Sequence, residues 1–207
     1  DNGIYQDGCF YTGSTIDILF GLVYLHESNL DIDLMLQYPL TENSILMEYY
    51  DKIGVSSNFK REFINIEIIW TFQKLIYPQN FDTFITNLSQ SNRSFIVIPL
   101  GIEMEKGSHA NILLIDKKNK VIERFEPNGI NYPKGLYYNP KLLDELLSIK
   151  FNEVLPNYTY STPYDYLPVI GFQLLESTIN NCKKLSDPNG FCAVWCIWWV
   201  ENKIVNN

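Results

Sequence analysis

"SHANILLIDKKNKVIERFEP", residues 108–127, decides the reading of this chain. Two runs rich in Ile, Leu and Val flank the turn-like "KKNK" at 117–120, which predicts a β-hairpin. In the simplest register Lys118 and Asn119 form the turn, Lys117 faces Lys120 and Asp116 faces Val121. Carried outward, Asn111 then faces Glu126 and His109 faces Asn128. Side chains two residues apart share a face of a strand. His109 and Glu126 therefore become diagonal neighbours, with Glu123 on the opposite face, and long side chains reach across such a diagonal. A one-residue slip would reverse that choice. An acid beside an imidazole fixes its tautomer and stabilises the imidazolium, as a catalytic base requires. A plain strand-end ion pair is the competing reading, and Asn128 is a rival partner for the ring. The other histidine, His26, ends an amphipathic segment and reads as a polar helix terminus.

Outward from the hairpin, 94–104 reads as a third strand. Upstream, helical spacing predicts helices over 14–27, 42–52, 58–76 and 80–90. Downstream, "NPKLLDELLSIKF" predicts a helix over 139–151 with Pro140 in its first turn. Residues 152–166 read as loop. Residues 166–177 begin extended and turn helical, and a last helix covers 191–204. Helices, then strands, then helices make an α+β fold, with a central mainly antiparallel sheet flanked by helices. Residues 1–80 form an N-terminal helical region and 81–207 the core that carries the candidate site. The two are expected to make one compact unit.

The chain has 207 residues, 46% of them hydrophobic and 14% aromatic, enough for a substantial core. Its net charge of −8 argues against nucleic acid or an anionic membrane as partner, since both need clustered cations. No apolar run reaches the ~18 residues of a membrane span. Cysteine is sparse: Cys9, Cys182, Cys192 and Cys196. This usage points to reduced thiols and the cytosol, against a secreted chain with two disulfides.

"DPNGFCAVWCIWW", 187–199, places a strong turn ahead of the last helix and Cys192 in its first turn. Unpaired N–H groups and the positive dipole end favour a thiolate there, and can hold an oxyanion. A buried small apolar residue is the competing reading of Cys192 taken alone. Cys196, one turn on, reads as core, and the pair lacks the further ligands of a zinc site. Neither metal nor cofactor is expected. Gln173, polar among apolar neighbours, is the candidate side-chain oxyanion donor. Cysteine, histidine with an acid, and an oxyanion donor are the parts of a thiol hydrolase.

"HANILLIDKKNKVIERFE" resembles the His–acid hairpin of the Ulp1-like (adenain-type, clan CE) cysteine proteases, in which the acid lies seventeen positions after the His. The order His109, Glu126, Gln173, Cys192 matches the family's order. "ERFEPNG" and "GFCAVWCIWW" look most like the versions in large DNA viruses. The resemblance covers about 94–204 and implies a papain-like fold. The chain departs from it in having Glu126 where Asp is usual and Ala193 where Gly follows the Cys. Gln173 also lies further upstream than the family's Gln, so Asp187 or Asn189 is an alternative oxyanion residue. A rival nucleophile is Cys9, in the Gly-rich "DGCFYTGSTIDILFGLVYL", which with His109 and Glu126 would follow the papain order.

The resemblance implies hydrolysis of peptide or isopeptide bonds in a protein substrate. The acidic surface tilts the expectation toward removal of ubiquitin or a ubiquitin-like modifier. The alternatives are a viral precursor (virion maturation) endopeptidase, a non-catalytic modifier-binding module, and an acetyltransferase on the same scaffold. The expected location is the cytosol, of a host cell if viral, or the virion. Residues 1–80 are expected to serve substrate recognition.

Overall fold

The computed structural model describes residues 15–35, 48, 51–52, 66–104, 107–130, 138–174 and 191–206. Helix α1 spans Thr15–Glu27 and strand β1 Ile32–Leu34. Strands β2 (Ile68–Thr71) and β3 (Lys74–Ile76) precede helix α2 (Phe81–Ser89). Strands β4 (Phe95–Met104), β5 (Gly107–Asp116) and β6 (Val121–Phe125) follow. Helix α3 (Pro140–Val154), strand β7 (Thr159–Ser161) and the short helix α4 (Pro163–Tyr166) lead to helix α5 (Cys192–Val205).

The seven strands form one sheet in the order β3-β2-β4-β5-β6-β7, with β1 also paired to β4. The long ladders are antiparallel. Ten residue pairs join β4 to β5, and the β5–β6 ladder runs from Asp116↔Val121 to Ile112↔Phe125. The hairpin register is the one its sequence predicts. Short parallel ladders join β1 to β4, β2 to β4 and β6 to β7, so the sheet is mixed, with antiparallel pairing carrying its long ladders.

Three expectations are corrected. The helix predicted over 58–76 is, within the described residues, the β2–β3 hairpin. All four β2 residues are buried, which erases the alternation that marks a half-exposed strand. Phe72 and Gln73 turn the hairpin with φ of 45° and 61°, a conformation usually advertised by Asn-Gly. The N-terminal region is therefore not simply helical: β1, β2 and β3 belong to the sheet. The loop predicted over 152–166 contains β7 and α4. Residues 48, 51 and 52 are helical, while the rest of the helix predicted over 42–52 lies outside the described residues.

Each face of the sheet is covered. Leu113, Ile115 and Ile122 pack with Phe84 and Leu88 of α2 and Leu143, Leu147 and Phe151 of α3. Ile112, Leu114 and Phe125 pack on the other face with Leu22 and Leu25 of α1 and with Ala193, Cys196 and Val200 of α5. Strand β5 thus feeds alternate residues to two cores, as period two dictates. Asn139 caps α3 by accepting from the Leu142 N–H at 3.1 Å, and Pro140 opens it. Among the described residues no helix is long and apolar enough to cross a membrane.

Candidate active site

The β5–β6 ladder stops at Ile112↔Phe125, and the chain beyond each end carries the polar residues. His109, Asn111, Glu126 and Asn128 are all buried there. His109 Nε2 lies 2.6 Å from Glu126 Oε1. An ionised carboxylate only accepts, so Nε2 carries the proton and Nδ1 is the basic side of the ring.

Glu126 is saturated with donors. Oε1 also accepts from the Asn128 N–H at 3.0 Å. Oε2 accepts from Asn111 Nδ2 at 3.0 Å and from the Tyr138 hydroxyl. Burial pushes this carboxyl up. The charge and hydrogen bond of His109, the charge of Arg124 and the Tyr138 hydrogen bond together outweigh burial and hold it down at about 2. Burial and the neighbouring Glu126 push the Tyr138 phenol well above its ordinary range, so it stays a donor.

Behind Glu126 sits a second buried group. Arg124 forks onto Asp144 of α3, Nε to Oδ1 at 2.7 Å and Nη2 to Oδ2 at 2.8 Å. Tyr160 of β7 donates to Asp144 Oδ1 at 2.8 Å. Arg124 Nη1 donates to Asn111 Oδ1 and lies 3.9 Å from Glu126 Oε2. Burial works against the guanidinium's charge, but the Asp144 hydrogen bonds and charge raise its pKa well above the ordinary value. Sequence reading passed over Arg124, Tyr138 and Asp144. The one available signal was Arg124 sharing a strand face with Glu126 beside the predicted His–acid pair.

Asn128 is a weaker partner for the ring, with Nδ2 3.4 Å from His109 Nε2. In the observed orientation its Oδ1 has no hydrogen-bond partner among the described residues. Rotating the amide by 180° would turn that oxygen toward the Nε2–H, which suits both groups better.

Cys192 opens α5, buried at 5% exposure. The Trp195 N–H bonds to Phe191 O, so the N–H groups of Cys192, Ala193 and Val194 head the helix ahead of its first internal bond. The Ala110 N–H donates to Cys192 Sγ at 3.3 Å, and Cys196 Sγ donates to Ala110 O at 3.5 Å. The two thiols of α5 thus take the backbone of the residue after His109, where β6 has already ended. Neither is in a disulfide.

Gln173 is fully buried, its N–H on Pro127 O at 3.3 Å. It is held there by a close crossing: the Gly171 N–H bonds Asn128 O at 2.8 Å, and a Cβ on Gly171 would stand 2.2 Å from Pro127 O. Gly129 meets the same crossing with φ of 79°. The structure thus brings His109, Glu126 and Asn128 together, sets Cys192 against Ala110, and packs Gln173 on the turn after Glu126. Glu123 lies elsewhere, paired with Lys203 at 2.8 Å. Cys9, Cys182, Asp187 and Asn189 lie outside the described residues. Of the three late tryptophans, Trp199 is core and stacks on Phe125 at 4.8 Å. Trp195 and the 39%-exposed Trp198 cluster with Phe172.

No family model matches the chain. Among curated proteins it is similar to the "Putative ankyrin repeat protein L371" of Acanthamoeba polyphaga mimivirus, with 37% identity over 203 residues, covering 94% of this chain. The chain spans only 26% of that protein's length. Among solved structures it is similar to the Chlamydia abortus effector protein ChlaDUB at a TM-score of 0.45 and 13% identity, over 96% of this chain and 83% of that one.

Proposed function

We propose that the chain is a thiol hydrolase that cleaves peptide or isopeptide bonds in protein substrates, with Cys192 as nucleophile, His109 as base and Glu126 as its orienting anion. The observation that carries this reading is the buried 2.6 Å His109–Glu126 pair, with Cys192 Sγ at the head of α5 on the N–H of the very next residue, Ala110.

His109 Nδ1 takes the Cys192 proton, and the thiolate is met by the Ala110 N–H and the head of α5. Sulfur adds to the substrate carbonyl carbon. The oxyanion is held by the Cys192 N–H, with Gln173 as the side-chain donor. The imidazolium, balanced by Glu126, gives its proton to the leaving amine, leaving a thioester. Water, deprotonated by the same imidazole, then attacks the thioester, and the carboxylic acid leaves as the thiol is restored.

The substrate class rests on the hairpin's resemblance and the net charge of −8: ubiquitin or a ubiquitin-like modifier, removed in the cytosol. Residues 1–80 serve recognition from elements that also complete the sheet. The test is intact mass after exposure to ubiquitin and ubiquitin-like probes carrying a thiol-reactive C-terminus, on the unaltered chain, Cys192→Ala and Cys9→Ala. An adduct lost only in Cys192→Ala supports the reading. Loss only in Cys9→Ala would move the nucleophile to the N-terminal turn. A folded chain with no adduct, but with Cys192-dependent cleavage of an extended viral precursor, would make it a maturation endopeptidase.

A further inference from the structure

We propose that Arg124 and Asn111 are positioning residues: the guanidinium, anchored by Asp144, fixes which end of the Asn111 amide faces Glu126, and so keeps that carboxylate on His109. The inference rests on the thiol-hydrolase reading for its effect on catalysis, though not for its effect on His109.

An amide has two unlike ends and can be turned over. Arg124 Nη1 occupies Asn111 Oδ1, which leaves the NH₂ to reach Glu126 Oε2 and Ala110 O, each at 3.0 Å. The reverse orientation would set oxygen against the carboxylate and NH₂ against the guanidinium, two repulsive contacts in a buried place. Arg124 therefore decides the orientation of Asn111.

Asp144 has the complementary part. At 3.9 Å, Arg124 Nη1 is beyond hydrogen-bonding distance of Glu126 Oε2. An unanchored guanidinium would close that gap and draw the carboxylate off the imidazole. The two-point fork to Asp144, itself held by Tyr160, prevents this. The relay runs from α3 through β6 and β5 to the histidine. Among the described residues the charged and titratable groups around it are Arg124 and Glu126 at the end of β6, Asp144 from α3, Tyr138 ahead of α3, Tyr160 from β7, Tyr166 of α4 on Arg124 O, and Cys192 and Cys196 on the Ala110 backbone.

The chain has only two histidines, so ring nitrogens are assigned directly in a ¹⁵N-histidine NMR titration, with exposed His26 as the internal reference. The variants are Asn111→Leu and the double Arg124→Met/Asp144→Leu. The double variant removes both members of the buried ion pair, a replacement that proteins often tolerate. In each, His109 is expected to lose its proton about one pH unit lower than in the unaltered chain, because its anion is no longer held in place. His26 is unmoved, and kcat on the identified substrate falls about tenfold or more with KM unchanged. Folded variants whose His109 titrates as before, whatever their melting temperature, would overturn the proposal. If His109 responds but the unaltered chain shows no Cys192-dependent cleavage, the positioning role stands and the hydrolase reading fails.

Discussion

Glu126 meets His109 at 2.6 Å with both side chains shut away from solvent, and all four of the carboxylate's hydrogen bonds come from groups fixed in the fold. The pair is fixed by the fold before any ligand arrives, as preorganised electrostatics require.

Glu126→Gln keeps the shape and removes the charge. The proposed hydrolysis is expected to fall on the order of 100-fold or more, the range set by losing effective acid–base assistance. The new NH₂ also faces donors on every side, which costs about 1–3 kcal/mol of stability. Steady-state kinetics beside a denaturant melt checks both. Undiminished kcat in the folded variant would remove Glu126 from the mechanism.

Acid should unfold the chain partly through this residue. The folded carboxyl sits at about 2 against an ordinary 4.5. A depressed carboxylate contributes stability that is present in full above the unfolded value and is lost as pH falls through the folded one. The window is therefore about pH 4.5 down to 2. Urea melts across it should show a steeper loss of stability in the unaltered chain than in Glu126→Gln. Parallel curves would contradict the assignment.

Gly171→Ala tests the crossing that holds Gln173. With Pro127 O only 2.2 Å from the new Cβ, one strand of the crossing must move. The expected cost is about 1–3 kcal/mol, as for overpacking elsewhere. Labelling of Cys192 by a modifier probe should slow more than labelling by a small alkylating agent, because the displaced turn carries the oxyanion candidate rather than the thiol. Equal slowing of both reagents would argue against that role for Gln173.

The β2–β3 turn offers the opposite kind of change. Phe72→Asn with Gln73→Gly supplies residues suited to positive φ at both positions, and Phe72 is 58% exposed, so little burial is lost. A gain of about 1 kcal/mol is expected, read as a higher midpoint in thermal or denaturant melts. A loss would mean that Phe72 packs more than its exposure suggests.

That turn also shows where the sequence stops being readable. The hairpin carrying His109 and Glu126 was legible because four polar residues, 117–120, separate its strands and fix the turn from which the register is counted. The "IEIIWT" run was not, because a strand covered on both faces is apolar throughout and looks like the buried side of a helix. Strand β7, only Thr-Tyr-Ser, adds to an edge through backbone pairing and carries no pattern at all. The contact between His109 and Glu126 could be anticipated from strand parity. Arg124 and Asp144 meet across twenty residues and two elements, a contact that only packing reveals.

Ala110 serves the thiol through its backbone alone. The group that touches Cys192 there is main chain, and every amino acid but one carries the same N–H. Position 110 can vary freely in side-chain chemistry, within the room α5 allows, while its service to the thiol stays constant. Relatives could differ there completely and an alignment would mark the column as unimportant. Proline alone would expose it, by deleting a proton that no sequence letter records.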